Sequence, residues 1–177
     1  EGVQIKDPAL KNYINLEGKI LLKSHGRNIK KFGATKVNIV ERLANRIQVP
    51  GHSGKKHKII TNWASGKYAN CTRIVLDTFM IISEKTKQNP VQVLVAAVEN
   101  ASPRDETTTI EYGGARYPQA VDVSPLRRVN LAIRWMVQGS YQKSFGKKKK
   151  MAETLAAEIM AASQGSMDSF AFSKKHE

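Results

Sequence analysis

Two adjacent arginines stand in the first turn of a predicted helix. Ser124 and Pro125 are residue types typical of an N-cap and of a first helical position, and Arg127 and Arg128 follow within that turn. Cations are unfavourable at this end of a helix, by about 0.3–1 kcal/mol each, because the helix dipole is positive there. Backbone amides at a helix N-terminus also bind anions, so the junction is predicted to bind a phosphate.

A run of four lysines, Lys147–Lys150, precedes a second predicted helix. A lysine run taken alone is most often a solvated surface, but here cations crowd a helix N-terminus for the second time. We therefore predict that Lys148 and Lys149 contact an anion. Gly165 is a typical C-terminal stop for this helix. Its apolar face consists of Met151, Leu155, Ile159 and Ala162.

A third basic segment, residues 23–36, contains five lysines and arginines and no acid. Gly26 and Gly33 discourage a helix, and Phe32 is interleaved among the cations. The segment is either an extended arm that contacts phosphates or a solvated basic linker. Its cations are Lys23, Arg27, Lys30, Lys31 and Lys36.

Motifs of common catalytic and metal sites are missing from the sequence. We find no HExxH, GxSxG or GxGxxG pattern and no pair of acids placed for acid–base work. The GHSGKK segment at residues 51–56 lacks the glycine spacing and the final hydroxyl residue of a P-loop. His52 and His57 have no further ligand set, and the single Cys71 permits neither a disulfide nor a cysteine-based zinc site within the chain. The sequence therefore predicts no enzyme, no metal and no cofactor.

The composition predicts a folded and strongly basic protein. Lysine and arginine total 29 against 15 acids, which gives a net charge of +14 and a pI of about 10.0. Such a charge favours a polyanion as partner, whereas an apolar content of 41% is ordinary for a folded domain. Without an apolar run that could cross a membrane or a signal peptide, we expect a cytoplasmic protein. The first residue is not methionine and the last stretch is charged, so we expect both ends to be incomplete.

A β-hairpin is predicted to lead into the helix that begins at Pro125. Residues 107–112 are rich in β-forming types, Gly113 and Gly114 suit a two-residue turn, and the return strand covers about 116–123. A lone hairpin is at best marginally stable in water, so it either leans on a partner outside the chain or packs on the chain's own helices. Two facing pairs would fix its register: Glu111 with Arg116, and Ile110 with Tyr117.

Capping residues and helical spacing predict a mainly α fold. Asn38 and Glu41 form the pattern of a capping box, and Arg42 and Arg46 lie four residues apart on one face of the helix that follows. Valines in 90–101 would suit a strand, but the cap and the spacing favour a helix. The other predicted helices cover about 68–85, 125–142 and 151–164.

The predicted architecture is a helical bundle of about five to six helices with one protruding two-stranded β-hairpin and a basic N-terminal arm. Residues 1–37 would form the N-terminal extension and arm, and residues 38–177 the helical domain with the hairpin at about 107–123. The tail after Ser169, which contains Phe170 and Phe172, is either an aromatic and basic nucleic-acid contact or the first turn of a helix.

Several segments occur in the order that is found in a known family. They are KKFGATKVNIVERLANRI, TRIVLDTFMII, NPVQVLVAAVENASPR, the glycine-turn hairpin and, most specifically, QAVDVSPLRRVNLAIRW. From about residue 26 onward the chain resembles the universal small-subunit ribosomal protein seven family, and most of all its archaeal and eukaryotic branch. The resemblance implies a structural protein that binds the head (3′ major) domain of small-subunit rRNA, starts head assembly, adjoins other small-subunit ribosomal proteins and lies near the exit-site tRNA and mRNA.

The resemblance also implies particular rRNA contacts. The family's Gly-Lys-Lys motif before its long helix matches either residues 54–56 or residues 66–68, and the family's final helix normally runs beyond Glu177. Charge reversal at Arg127 and Arg128 is expected to weaken rRNA binding strongly without unfolding the bundle. The implied contacts are Arg27, Lys30, Lys31, Lys36, Lys55, Lys56, Lys67, Arg116, Arg127, Arg128 and Arg134, besides Lys148 and Lys149.

Two other functions fit the same features. A free-standing RNA- or DNA-binding regulator would insert the basic hairpin into a groove as a two-stranded β-ribbon that contacts the bases. Such a regulator would not co-sediment with small subunits in high salt. An enzyme acting on nucleic acid would need polar groups converging on an acid or a histidine.

Overall fold

A computed structural model describes residues 2–18, 30–50 and 66–177 of the chain. In this part of the chain, six α-helices and one two-stranded antiparallel hairpin are formed, with short 3₁₀ turns at Lys11–Tyr13 and Gly33–Lys36. The predicted mainly α architecture is therefore confirmed. The elements are α1 (Ile39–Ile47), α2 (Tyr68–Thr86), α3 (Pro90–Ala101), β1 (Asp105–Tyr112), β2 (Ala115–Asp122), α4 (Pro125–Ser144), α5 (Met151–Ser163) and α6 (Phe170–His176).

Capping residues set the ends of several helices where the sequence predicts them. The Asn38 side chain accepts a hydrogen bond from the Val40 amide at 2.9 Å as α1 begins. The Asn89 side chain accepts one from the Val91 amide at 3.0 Å as α3 begins. α5 ends in a Schellman motif at Gly165, whose φ of +68° is a left-handed conformation that glycine adopts without strain.

The core lies where α3, α4 and α5 pack together. α5 also packs against α2, and α1 packs against α2 and α4. α3 is helical although it contains four valines, because burying a large apolar side chain contributes about 1.5–3 kcal/mol, which exceeds the small propensity penalty of valine. The buried side chains of this core include Leu94, Val95, Val98, Val129, Met136, Leu155 and Ile159.

The N-terminal segment, residues 2–18, is joined to α3 by side-chain to backbone hydrogen bonds. The Gln92 amide group pairs with the Gln4 backbone in both directions, at 2.8 and 3.0 Å. The Glu99 carboxylate accepts the backbone amides of Lys6 and Asp7, at 2.7 and 2.9 Å. This segment is therefore part of the bundle. Its buried apolar residues are Leu10 and Ile14.

One buried carboxylate, that of Glu158, ties α6 to α4 and α5. The Glu158 side chain is 0% exposed. Its Oε1 accepts hydrogen bonds from the Ser169 hydroxyl at 2.7 Å and from the Ala171 amide at 3.0 Å, and its Oε2 accepts one from Lys143 Nζ at 2.8 Å. Of the two forms that the sequence left open for the tail, the structure shows the helical one.

Replacing Glu158 with glutamine is expected to lower the free energy of unfolding. The Glu158→Gln variant keeps the shape but removes the charge that strengthens these hydrogen bonds, so the loss should be about 1–3 kcal/mol. Urea denaturation followed by circular dichroism measures it. The matched control is Glu153→Gln, which alters an exposed acid in the first turn of the same helix and should cost less than about 1 kcal/mol, the contribution of an acid near the positive end of the helix dipole. Equal losses in both variants would contradict this role of Glu158.

Candidate nucleic-acid interface

The hairpin projects from the bundle with all eight residues of each strand exposed. Gly113 and Gly114 form its turn with φ values of +59° and +81°, and a type I′ turn requires such positive values. Since its strands do not bury a face on the described helices, the structure favours a partner outside the chain. The predicted register is confirmed: Glu111 pairs with Arg116, and Ile110 pairs with Tyr117.

One face of the hairpin is aromatic and aliphatic. Because side chains alternate along a strand, Ile110 and Tyr112 lie on the same face as Tyr117 and Val121. Tyr112 is 81% exposed and Tyr117 is 59% exposed. Exposed aromatic rings are surfaces on which unpaired bases can stack. Arg116 lies on the opposite face, where its Nε is 3.5 Å from a Glu111 carboxylate oxygen.

Arg127 lies at the N-terminus of α4, where the sequence predicts a phosphate. Its guanidinium donates two hydrogen bonds to Glu106 at the base of the hairpin, from Nε at 2.6 Å and from Nη2 at 2.7 Å. The hydrogen bonding and charge of Arg127 hold the pKa of the Glu106 carboxyl below its usual value. The Arg127 side chain is still 53% exposed, so it remains accessible to a second anion.

The Arg128 side chain, unlike that of Arg127, points into the protein. It is 9% exposed, and its Nη2 donates to an Asp7 carboxylate oxygen at 2.8 Å and to the Ser102 hydroxyl at 3.3 Å. Its Nε is buried without a hydrogen-bond partner among the described residues. Arg128 therefore fastens the N-terminal segment to α4. A charge reversal there would place two carboxylates together, so the expectation that reversal at both arginines leaves the bundle intact needs correction.

The sequence predicts that an external phosphate binds at Arg127 and Arg128, whereas in the structure carboxylates of the chain itself pair with both arginines. Asp7 is 121 residues away from Arg128, and Glu106 is 21 residues away from Arg127. No spacing rule connects residues so far apart, which is why these partners were missed. Ser124 occupies the predicted N-cap position, but its side chain makes no capping hydrogen bond.

The lysines that are predicted to contact RNA and that the structure describes are exposed, and none of them forms an ion pair with another described residue. Lys147–Lys150 lie in the loop between α4 and α5, after a left-handed turn at Gly146 with a φ of +69°. Arg27, Lys55 and Lys56 lie outside the described residues, as do His52 and His57. The exposed lysines are Lys30, Lys31, Lys36, Lys67, Lys148 and Lys149.

A groove between the turn at Gly33–Lys36, α1 and α4 collects three arginines. Arg42, Arg46 and Arg134 line this arginine groove, which has a volume of about 340 Å³. The Arg42 guanidinium donates to a backbone carbonyl and to the Asn130 side chain, both at 2.8 Å. The sequence analysis proposed Arg134 as an rRNA contact but did not propose Arg42 and Arg46 as site residues. Their spacing of four residues, which places both on one face of α1, was the signal that could have identified them.

Burial and repulsion lower the pKa values of the groove arginines. Burial lowers the pKa of Arg42 to about 10. Burial also lowers the pKa of Arg46, and the nearby charge of Arg134 lowers it further. None of the described residues that line the groove is a carboxylate. The nearest acidic influence is Glu106, whose pKa the charge of Arg134 helps to lower.

Metal-ligating side chains are not clustered among the described residues. These residues contain no group of three or more His, Cys, Asp or Glu side chains that could hold a metal ion. Burial raises the pKa of the Cys71 thiol, which leaves less of the nucleophilic thiolate. Among the helices of the described ranges, none has the length and apolarity needed to cross a membrane.

Comparison with known proteins identifies the family. The family model for ribosomal protein S7p/S5e matches residues 11–177. The chain belongs to this family. The curated relatives named "Small ribosomal subunit protein uS7" include one from Nanoarchaeum equitans, 51% identical over 178 residues, which covers 100% of this chain and 90% of that protein. Another, from Archaeoglobus fulgidus, is 44% identical over 176 residues, which covers 99% of this chain and 85% of that protein.

Membership in the S7p/S5e family confirms several predictions. A further uS7 relative, from Methanothermobacter thermautotrophicus, is 44% identical over 179 residues, with 100% of this chain and 90% of that protein covered. The archaeal branch is therefore confirmed. The family is structural and non-enzymatic, so the chain is a structural ribosomal protein of the small subunit in the cytoplasm, and not an enzyme.

Truncating Arg128 is expected to destabilise the bundle more than truncating its neighbour. The Arg128→Met variant leaves the Asp7 carboxylate without its cation. The Asp7 side chain is 23% exposed, so the loss of this partly buried partner should cost about 1–3 kcal/mol. The matched control is Arg127→Met, whose ion pair is exposed and should contribute less than about 1 kcal/mol. Urea denaturation compares the two variants. Similar free energies of unfolding for the two variants would show that Arg128 does not hold the N-terminal segment to α4.

The Glu106–Arg127 ion pair predicts a titration shift with a defined sign. Because the pKa of Glu106 is lowered in the folded protein, the pair stabilises the fold above the unfolded-state pKa, and this contribution is lost as the pH falls through the folded-state pKa. Titration followed by NMR should place the Glu106 pKa below its ordinary 4.5. Arg127→Gln should return it towards that value, and Arg73→Gln should not. A Glu106 titration unchanged by Arg127→Gln would refute the pairing in solution.

Proposed function

We propose that the chain binds the head (3′ major) domain of small-subunit rRNA, nucleates assembly of the head and lies near the exit-site tRNA and mRNA beside neighbouring small-subunit ribosomal proteins. The observation that carries the proposal is the set of exposed lysines Lys30, Lys31, Lys36, Lys67, Lys148 and Lys149, which have no ion-pair partner among the described residues. Such lysines can neutralise phosphates and release counterions, which drives affinity for RNA.

The rigid bundle gives this charge array a fixed geometry. Lys67 stands at the start of α2, and Lys148 and Lys149 stand just before α5, and both helices pack in the same core. Double-stranded RNA is recognised mainly through its shape and its backbone. A fixed spacing of cations therefore selects an RNA junction whose phosphates have the same spacing.

The hairpin supports a role beside the tRNA and mRNA path. Its strands are exposed along their whole length, and Tyr112 and Tyr117 present uncovered rings. Single-stranded RNA stacks its bases on aromatic side chains. We infer that the hairpin is the part of the chain that reaches from the rRNA site towards these ligands.

Neutralising the loop lysines is expected to weaken rRNA binding. The double variant Lys148→Gln/Lys149→Gln should lose affinity for a head-domain rRNA fragment, and its slope of log affinity against log salt should fall by about two, one for each lost phosphate contact. Filter binding across a salt series measures both. The control is Lys85→Gln/Lys87→Gln at the end of α2, which is expected to change neither.

The same assay decides between the proposal and its rival. The wild-type chain should protect nucleotides of the head-domain fragment from chemical probing and leave a fragment from another domain unprotected, and it should co-sediment with small subunits in high salt. Equal protection of both fragments, or a chain that stays free of the subunits, would favour the free-standing regulator. Unchanged binding by the Lys148/Lys149 variant would remove the observation that carries the proposal.

A further inference from the structure

The hairpin is connected to the helices through buried residues at its base. Ser102 and Pro103 lead from α3 into β1, Val123 leads from β2 to α4, and all three are buried. The Val123 amide donates a hydrogen bond to the Arg104 carbonyl at 2.8 Å, which closes the base. Every residue of the two strands is exposed. The base therefore fixes where the hairpin begins, but its direction depends on contacts made by the strands.

Glu106, near the start of β1, makes these contacts. Among the described residues, its two hydrogen bonds with Arg127 are the only side-chain hydrogen bonds that join a strand of the hairpin to a helix. Arg134 lies about two turns further along α4, and its charge helps to lower the pKa of the Glu106 carboxyl. Two cations of one helix therefore attract a single carboxylate of the hairpin.

The Glu106–Arg127 pair can break without disturbing the core. The Glu106 side chain is 43% exposed and that of Arg127 is 53% exposed, and an ion pair in such a position contributes little net free energy. A cavity of about 230 Å³ lies beside the pair, and its lining includes Ser124, Arg127, Asn130 and Arg134. An anion from solution can therefore reach Arg127 while the helices stay packed.

We propose that Glu106 is a positioning residue that holds the hairpin in one direction, and that an anion competing for Arg127 releases the hairpin to pivot about its base. The Nε and Nη2 groups of Arg127, which both donate to Glu106, also match two oxygens of a phosphate or of another carboxylate. An anion that takes both donors displaces Glu106, which then keeps only the attraction of Arg134. Any anion that fits a guanidinium can do this, so the release does not depend on the proposed rRNA binding.

A small rotation at the base becomes a large displacement at the turn. Glu106 and Gly113 are seven residues apart, which is about 24 Å of strand, so a pivot of about 10° moves the turn by about 4 Å. The exposed ring of Tyr112 beside the turn moves with it. A weak ion pair at the base can therefore control where the outer half of the hairpin lies relative to the bundle.

The distance between one spin label on the hairpin and one on the bundle measures the direction of the hairpin. Thr109→Cys in β1 and Ser83→Cys in α2 place the labels at exposed positions. The native Cys71 is buried and stays unlabelled. Pulsed electron paramagnetic resonance then gives the distribution of distances between the two labels, and circular dichroism shows that the helices are intact.

Two single variants test the role of the ion pair in this doubly labelled chain. Glu106→Gln and Arg127→Gln should each broaden the distance distribution by about 4 Å or more, with the circular dichroism of the unsubstituted chain. The matched control is Glu111→Gln, which removes an exposed ion pair with Arg116 inside the hairpin and should leave the distribution unchanged. A distribution that stays narrow in both Glu106→Gln and Arg127→Gln would overturn the positioning role.

Inorganic phosphate tests the release by an anion. At equal ionic strength, phosphate should broaden the distribution of the chain with Glu106 and Arg127 intact, compared with chloride. Arg127→Gln should give the same broad distribution in both salts, because its hairpin is already released. Broadening in the variants without any effect of phosphate on the intact pair would overturn the release by an anion, and a response of Arg127→Gln to phosphate would show that the anion acts elsewhere.

Discussion

Four carboxylates hold the peripheral segments of this basic chain to its helical core. Asp7 and Glu99 join the N-terminal segment to α4 and α3, Glu106 joins the hairpin to α4, and Glu158 joins α6 to α4 and α5. With 15 acids against 29 lysines and arginines, few carboxylates are available to stabilise so positive a protein. These four lie at the contacts between segments, whereas the exposed lysines before α5 form no ion pair with a described residue.

Arginines supply most of the cations that bond within this arrangement. Arg127 and Arg128 form ion pairs within the chain, and Arg42 is hydrogen-bonded inside its groove. Lys143 is bonded in the same way, to the buried Glu158. The lysines before α5 are exposed instead. This division agrees with a ribosomal protein whose packed helices hold a set of surface cations in place for RNA.

Structural features that depend on residues close together in the sequence were predictable from it. The two glycines of the hairpin turn fix the register, and Asn89 with Pro90 fixes the start of α3, because both signals act within a few residues. The partners of Arg127 and Arg128 were not predictable, since the fold brings them together from distant parts of the chain. The arginine groove was missed for the same reason, because it exists only where α1 and α4 meet.

The hairpin has a further consequence for the chain before it joins its partner. In the part of the chain that the structure describes, the sheet has two strands only, so each strand has one edge whose backbone groups are unpaired. Such edges can add strands from other copies, which makes a newly made, unassembled chain liable to self-association. Pro118 interrupts one edge because it lacks an amide donor. A cell that makes this protein in excess of its RNA would therefore have to shield or degrade the surplus.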